Sequence, residues 1–469
     1  MSIKKNTVLV SFSNSFQVLI TLISGIILAR ALEKTEFGEF QQSILIVTFI
    51  TSLTNGIPAA LSFYIGKEEH TGKHYSLYKR FFSFTLLLAL LLATLSIIVF
   101  SCLSGSFNNS LMSSFKYVLA GILFFKTINN YFLNFYTLIQ KISYYTLVKG
   151  LYFLANIFIL ILVYLNVSTL ESLFYALILI EFATFIILYK HQYSIGISFK
   201  DLLIKEELSY VFYMALSGMA GVLNVYIDKF MISGILSPKE FGEYQVGALN
   251  IPFIGIITAS IITVLTPIFS RLSHQGSYNE IAIKLKEVTK QVIYVLIPIF
   301  IFCILFGQDL IEFFFSEKFK TSGLIFQIYT GKNLLAVVIF GGIMGAIGLQ
   351  KYLLITQVIN ALLNIIGNYI LIEVYGQTGA AISTLIVTYL GYIVPIYTIW
   401  KKTNLSFFVY FPLLTWIKTT AICLITCISL KLLLAQELFS LNIIMISVSY
   451  YAVILFILNA LFGIKNNLK

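Results

Sequence analysis

The chain has 469 residues, of which 59% are apolar and only 11% charged, against about a quarter charged in a soluble globular domain. That ratio excludes a water-soluble fold with a sizeable catalytic domain: at roughly 20 to 25 residues per crossing, the length is consumed by about fourteen bilayer spans with short loops. The formal charge of +11 would suggest a nucleic-acid partner in a soluble protein, but in a membrane chain basic residues mark topology first.

At the amino terminus, Lys4 and Lys5 precede an apolar stretch that runs on too far for a signal peptide and lacks a small-x-small cleavage site. It is expected to be a retained first span. Apolar segments of spanning length fall at 8–32, 40–65, 81–103, 116–139, 144–165 and 172–190. After a polar stretch from His191 to Glu207 they resume at 209–236, 244–270, 291–315, 323–349, 352–374, 378–400, 409–433 and 442–463. The segments are continuous rather than alternating, which excludes an outer-membrane barrel. The expectation is an all-α polytopic membrane protein of about fourteen spans. It divides into a six-helix bundle at 1–190, a cytoplasmic linker at 191–208, a second six-helix bundle at 209–400 and two further helices at 401–469.

Alternate loops of this map, those on the side of the amino terminus, hold nineteen of the 31 Lys and Arg residues; the opposite loops hold seven, and five lie inside spans. Positive charge accumulates on the cytoplasmic side, so both termini are expected there, in a plasma membrane. The histidines His70, His74, His191 and His274 map to cytoplasmic loops, and the stretch from Tyr278 to Lys290 mixes Ile and Leu with Glu and Lys as a surface-lying segment would.

The halves echo each other. Leu32-Glu33-Lys34-Thr35-Glu36-Phe37-Gly38-Glu39-Phe40-Gln41 matches Leu236-Ser237-Pro238-Lys239-Glu240-Phe241-Gly242-Glu243-Tyr244-Gln245 at six of ten positions, and Gln140-Lys141 is echoed by Gln350-Lys351. Each copy of the longer motif follows the first helix of a group of six, and its glycine is expected to permit a tight turn. Six is an even number of spans, so the bundles share one orientation and are expected to be pseudo-symmetric about an axis along the membrane normal.

These residues resemble a known family. The run Ile27-Leu28-Ala29-Arg30-Ala31-Leu32 leading into Glu36-Phe37-Gly38-Glu39-Phe40 is similar to the start of bacterial polysaccharide (O-antigen, oligosaccharide) flippases, as is a seventh helix carrying Asp228-Lys229 into the second copy of the motif. Tyr375-Gly376-Gln377-Thr378-Gly379-Ala380-Ala381 resembles the step that opens the twelfth helix there. The resemblance covers the whole chain and implies a MATE-like fold. It also implies a flippase for a polyprenyl-pyrophosphate-linked oligosaccharide, serving surface polysaccharide assembly alongside other assembly membrane proteins.

Ionisable groups inside a bilayer cost about 2.5–3.5 kcal/mol each on insertion scales, so each needs a reason. Lys126 and Lys332 fall at similar depths of repeat-equivalent spans, where a basic cleft would bind an anionic headgroup. Lys149 would extend that path inward, and Arg30 and Lys229 would line its outward mouth. The alternative is that the lysines neutralise Glu181 and Asp228, or snorkel. Glu181 and Asp228 are either ion-pair partners or binders of a coupling proton or sodium ion. Lys418 lies outside the twelve-helix core. Asn360, Asn364 and Asn368 form a stripe on one helix face, either bonding a neighbouring helix or lining a polar cavity. Pro58, Pro252, Pro267, Pro298 and Pro395 are candidate kinks.

Cys102, Cys303, Cys423 and Cys427 sit in apolar runs and read as small hydrophobes. The sequence carries no phosphate-binding glycine loop, paired-cysteine metal site or nucleophile elbow, so no catalytic residue, metal or cofactor is expected beyond an ion gradient. The rival functions are a MATE-like exporter of cationic drugs, which wants carboxylates in its cleft, a lipid II flippase, and a membrane sugar polymerase or ligase, which wants a long outward loop.

Overall fold

The computed structural model describes residues 3–67, 74–165, 167, 169–190, 196–197, 202–338, 340–435 and 443–462. His70, His191, Lys73, Lys200, Lys465, Lys469 and most of the expected 191–208 linker lie outside them. Among the described residues the structure is helical, without strands, as the composition required. In chain order the helices are α1 (Ile3–Ala31), α2 (Lys34–Ser52), α3 (Gly56–Lys67), α4 (His74–Ser106), α5 (Ser110–Ser114), α6 (Lys116–Leu138), α7 (Ile142–Tyr164), α8 (Leu170–Lys190), α9 (Lys205–Ile235) and α10 (Pro238–Gly247). They continue as α11 (Pro252–His274), α12 (Tyr278–Leu305), α13 (Gly307–Phe315), α14 (Ser322–Gly331), α15 (Phe340–Ala346), α16 (Gln350–Gly391), α17 (Ile393–Thr403), α18 (Phe407–Tyr410), α19 (Leu413–Ala435) and α20 (Ile443–Phe462).

Every expected span is occupied by helix, but several are broken. Eight helical stretches among the described residues are long and apolar enough to cross a bilayer, and α9, bent by 46° between Lys205–Leu216 and Gly221–Ile235, makes up to nine. Gly218 and Gly221 flank that bend, where missing side chains leave the helix weakly braced. The segment expected as a surface stretch from Tyr278 is instead the first half of the 28-residue α12. Ile281, Ala282 and Leu285 are buried in packing, while Ile283 stays exposed. Pro252 opens α11, and Pro58 and Pro395 lie in the first turns of their helices, where a missing N–H costs nothing. Only Pro267 and Pro298 fall in helix interiors. His74 begins α4 and His274 ends α11, on helix ends rather than in loops.

The chain forms two compact units. The first comprises Met1–Tyr226 and Ile232–Gly242, the second Ile227–Met231 and Glu243–Lys469. The first is built on a core of Ile57, Phe81, Phe82, Tyr131, Phe132, Phe135 and Tyr136. Most of α9, the helix expected to open the second bundle, packs with this unit. Gly56 lies so close to α9 that a Cβ there would overlap the Val211 carbonyl oxygen. At the same end Glu207 accepts the Ile204 N–H at 3.0 Å, capping α9, and its buried carboxylate forms an ion pair with the half-buried Arg80 of α4. In the second unit α19 and α20 pack on α12 through Phe302, Cys423, Cys427 and Tyr450, and all four cysteines are free thiols. Large apolar side chains such as Leu90, Ile98, Phe158, Leu179, Ile425 and Val448 stay exposed, the surface of a protein whose solvent is lipid.

The repeated motif starts a helix in both copies. Glu36 accepts the Glu33 N–H at 3.3 Å and Glu240 the Ser237 N–H at 3.0 Å, so the repeated glutamate caps a helix N-terminus. Phe37 and Phe241 are buried. The glycines do not make a tight turn, contrary to the sequence expectation: both are helical, and they meet each other inside the first unit. A Cβ on Gly38 would overlap the Pro238 carbonyl oxygen, and one on Gly242 would sit 2.9 Å from the Lys34 carbonyl oxygen. Lys34 and Pro238 are themselves equivalent in the repeat, so the crossing is reciprocal. The positive-φ glycines lie elsewhere, at Gly276, Gly348 and Gly376, the last of which breaks α16 into two helical halves.

Gly38→Ala is expected to destabilise the purified protein by about 1–3 kcal/mol, the range for overpacking a tight contact. Gly105→Ala, where a methyl meets open space, is expected to leave the melting curve unmoved. Thermal unfolding in detergent of the two variants beside the parent checks the pair.

Candidate functional site

Helix α6 carries Lys126, Asn129, Asn130 and Leu133 at helical spacing on one face. With Gln17 of α1, Lys149 and Tyr152 of α7 and Glu181 of α8, they line a cavity of ≈ 50 Å³ inside the first unit. Glu181 is 5% exposed and is held by neutral donors. Asn129 Nδ2 donates to its Oε2 at 2.8 Å and to its backbone carbonyl at 2.9 Å, and the Tyr152 hydroxyl donates to Oε1 at 3.0 Å. Lys126 lies within its electrostatic reach but forms no ion pair among the described residues. The Lys149 ammonium is 5.6 Å from the centroid of the Tyr145 ring and likewise has no ion-pair partner among them. The carboxylate is thus held by neutral hydrogen-bond donors with charge support from Lys126, and two half-buried ammonium groups share this cavity with one carboxylate.

The second unit repeats that ratio with other residues. Asp228, 2% exposed, accepts the Lys229 N–H on Oδ1 at 2.8 Å and the Tyr244 hydroxyl on Oδ2. Lys332 lies within electrostatic reach of Asp228 and Lys229, its ammonium 3.2 Å from the centroid of the Tyr329 ring. The sequence expects Lys332 in the middle of a continuous span; the structure breaks that span there. α14 ends at Gly331, Lys332 is its C-cap, and a 3₁₀ turn follows to Leu335. The carbonyl end of α14 and the Tyr329 ring face both favour a cation at this break.

The remaining candidates are placed differently. Arg30 is exposed in the last turn of α1, and Lys418 is exposed near the start of α19. The asparagine stripe packs against the returning half of α16. Ser383 Oγ donates to Asn364 Oδ1 at 3.4 Å, and the Asn360 amide fills the space a Cβ on Gly391 would need. Asn368 is fully buried, with both amide atoms unbonded. Asn129, Tyr152, Gln17 and the Arg80–Glu207 pair are additions that the sequence reading missed. Asn130 and Asn134 follow Lys126 at four-residue steps, the same signal that exposed the Asn360 stripe.

Residues 27–323 match the family model described as polysaccharide biosynthesis protein. The chain belongs to that family. This polysaccharide biosynthesis protein is 25% identical over 175 residues to a Shigella flexneri protein assigned as an O-antigen transporter, a match covering 36% of this chain and 41% of that relative's length. Its fold is that of the lipid II flippase MurJ in an inward closed conformation, with TM-score 0.74 at 18% identity over 97% of this chain and 99% of that one. It is shared too with an inward-facing multidrug resistance MATE transporter of the MOP superfamily, with TM-score 0.61 at 15% identity over 83% and 96%. The MATE-like architecture of a multi-pass membrane protein is thus established.

Asn129→Leu removes both side-chain donations to the Glu181 region and is expected to destabilise the protein by about 1–3 kcal/mol, the cost of leaving a buried acceptor unsatisfied. Tyr152→Phe removes one donor only and should cost less. Equal melting temperatures for the parent and Asn129→Leu would show that this contact does not hold the carboxylate.

Proposed function

We propose that this chain is a flippase that moves a polyprenyl-pyrophosphate-linked oligosaccharide from the cytoplasmic to the outer leaflet of a plasma membrane for surface polysaccharide assembly. Both termini lie in the cytoplasm and the transport works by alternating access. The observation that carries the reading is the ratio of charge: the half-buried Lys126 and Lys149 against buried Glu181 in the first unit, the half-buried Lys332 and buried Lys229 against buried Asp228 in the second. An ammonium is a point charge suited to a phosphate oxygen, and in a desolvated site its attraction is several times stronger than in water. The pyrophosphate is held by these lysines, and the polyprenyl tail stays in lipid. Membership of the polysaccharide biosynthesis family supports a glycan as the cargo attached to that phosphate.

A MATE-like exporter of cationic drugs fits this ratio poorly, since its cargo would be repelled by the surplus ammonium groups. Lipid II shares the pyrophosphate-linked glycan chemistry and differs in what is attached beyond it. A sugar polymerase or ligase would need groups that activate a hydroxyl; the lysine clusters hold no such constellation. Glu181 and Asp228, both buried and hydrogen-bonded by neutral partners, are suited to bind a coupling proton or sodium ion. The glycosyltransferases and polymerase of the same polysaccharide are its working partners.

Lys126→Ala combined with Lys332→Ala, with membrane expression verified, is expected to lower surface polysaccharide by about tenfold or more, the equivalent of at least one lost charge-assisted hydrogen bond. Lys418→Ala, an exposed position outside the clusters, should leave it unchanged. Normal polysaccharide in the double variant would sink the cationic-site reading.

A further inference from the structure

A second cavity in the first unit, of ≈ 190 Å³, is lined by Thr54, Asn55, Ile57, Pro58, Thr85, Thr127, Asn130, Tyr131 and Asn134. No charged residue lines it, and six of its nine lining residues are Thr or Asn. Such a space inside an apolar bundle is costly to leave dry. It has room for about six waters at roughly 30 Å³ each, more than a structural water site needs. Thr127 is 1% exposed and its hydroxyl has no hydrogen-bond partner, so the cavity presents a buried polar group awaiting one.

The bonds already made decide what it can take. Thr54 and Thr85 spend their hydroxyl protons on the Thr51 and Phe81 carbonyls, and Tyr131 donates to the Tyr78 carbonyl. Towards a further partner these hydroxyls can therefore only accept. Asn134 Nδ2 donates to the Asn130 carbonyl at 2.8 Å, which leaves its own amide oxygen as a further acceptor. The amides of Asn55 and Asn130 add donors, and Ile57 and Pro58 supply an apolar wall. An anion or a cation finds no counter-charge here, and an acyl tail finds too many polar groups. A pyranose, with hydroxyls on its rim and C–H groups on its face, uses both surfaces.

We propose that this cavity binds the sugar next to the pyrophosphate, as an uncharged, hydroxyl-bearing subsite adjoining the lysine cavity. The placement follows from α6. Lys126, Asn130 and Asn134 lie on one face at four-residue steps, about 6 Å apart along the axis, and Asn130 lines both cavities. Cation and amides thus occur in the order in which a phosphate and its first sugar are linked. The inference rests on the headgroup reading of the lysines and adds what the neighbouring space recognises.

The test compares two probes on the full-length protein in nanodiscs: undecaprenyl pyrophosphate, and the same lipid carrying one N-acetylhexosamine. The parent is expected to bind the glycosylated lipid about tenfold more tightly, as a few matched hydrogen bonds would provide. Thr127→Val with Asn134→Leu should bring that ratio close to one while leaving the bare pyrophosphate lipid bound as before. Asn55→Leu alters an exposed position and should lower the ratio in part without disturbing the buried packing. A ratio of one in the parent, or an undiminished ratio in both variants, overturns the sugar subsite while leaving the lysine reading intact. Failure of both probes to bind the parent overturns the headgroup reading and the subsite with it.

Discussion

The burial of charge in hydrocarbon is the constraint on which the rest of this structure depends. A bilayer offers an ammonium or a carboxylate neither water nor counter-ions, so every such group within a span must be supported by the protein around it. Glu181 is supported by an asparagine and a tyrosine, and Asp228 by a tyrosine and a backbone amide. These acids make their hydrogen bonds to neutral donors, while Lys126 and Lys332 act on them through space rather than in a direct ion pair. A direct ion pair such as Arg80–Glu207 behaves differently: each charge is consumed by the other, so it can hold helices together but has little left for a ligand.

The repeat duplicates architecture more faithfully than chemistry. The glutamates that cap, the phenylalanines that bury and the glycines that let two helices cross are common to both copies of the motif. The polar partners are not. At the same offset Tyr244 corresponds to Phe40, Asp228 to Ser24 and Lys229 to Gly25, so the Tyr244–Asp228 contact has no counterpart in the first half. That half instead assembles its carboxylate from α6, α7 and α8. Two clusters of the same charge ratio were thus built on different residues, which is what selection for a charge pattern would produce on a duplicated scaffold.

Much of the fold was legible because spanning length and apolar content leave a chain few alternatives. The helical spans and the repeat were read from hydropathy and from a match of ten residues. The breaks were not, since the stretch 323–349 is long and apolar enough to read as one span, with no proline to announce the 3₁₀ turn at Lys332. The glycine crossing was missed for a related reason: a glycine beside charged residues looks like a turn until its neighbour across the interface is known. In the site, charges within apolar runs were visible at once, whereas Asn129 and Tyr152 were not. A polar residue in a span becomes informative only when its partner is placed, and the partner of each is Glu181, about 50 and 30 positions away in sequence, with no spacing rule to announce it.

The central claim is that intramembrane lysines, which outnumber the hydrogen-bonded carboxylates beside them, carry a glycan-linked pyrophosphate across the membrane. The most direct measurement is reconstitution of the purified chain in liposomes loaded on the inner leaflet with a polyprenyl-pyrophosphate oligosaccharide, followed by the binding of an external lectin over time. The account predicts a protein-dependent rise in lectin-accessible glycan, competed by unlabelled polyprenyl pyrophosphate. A glycan that stays inaccessible, in vesicles where the protein is folded and an ion gradient is imposed in either direction, would contradict it.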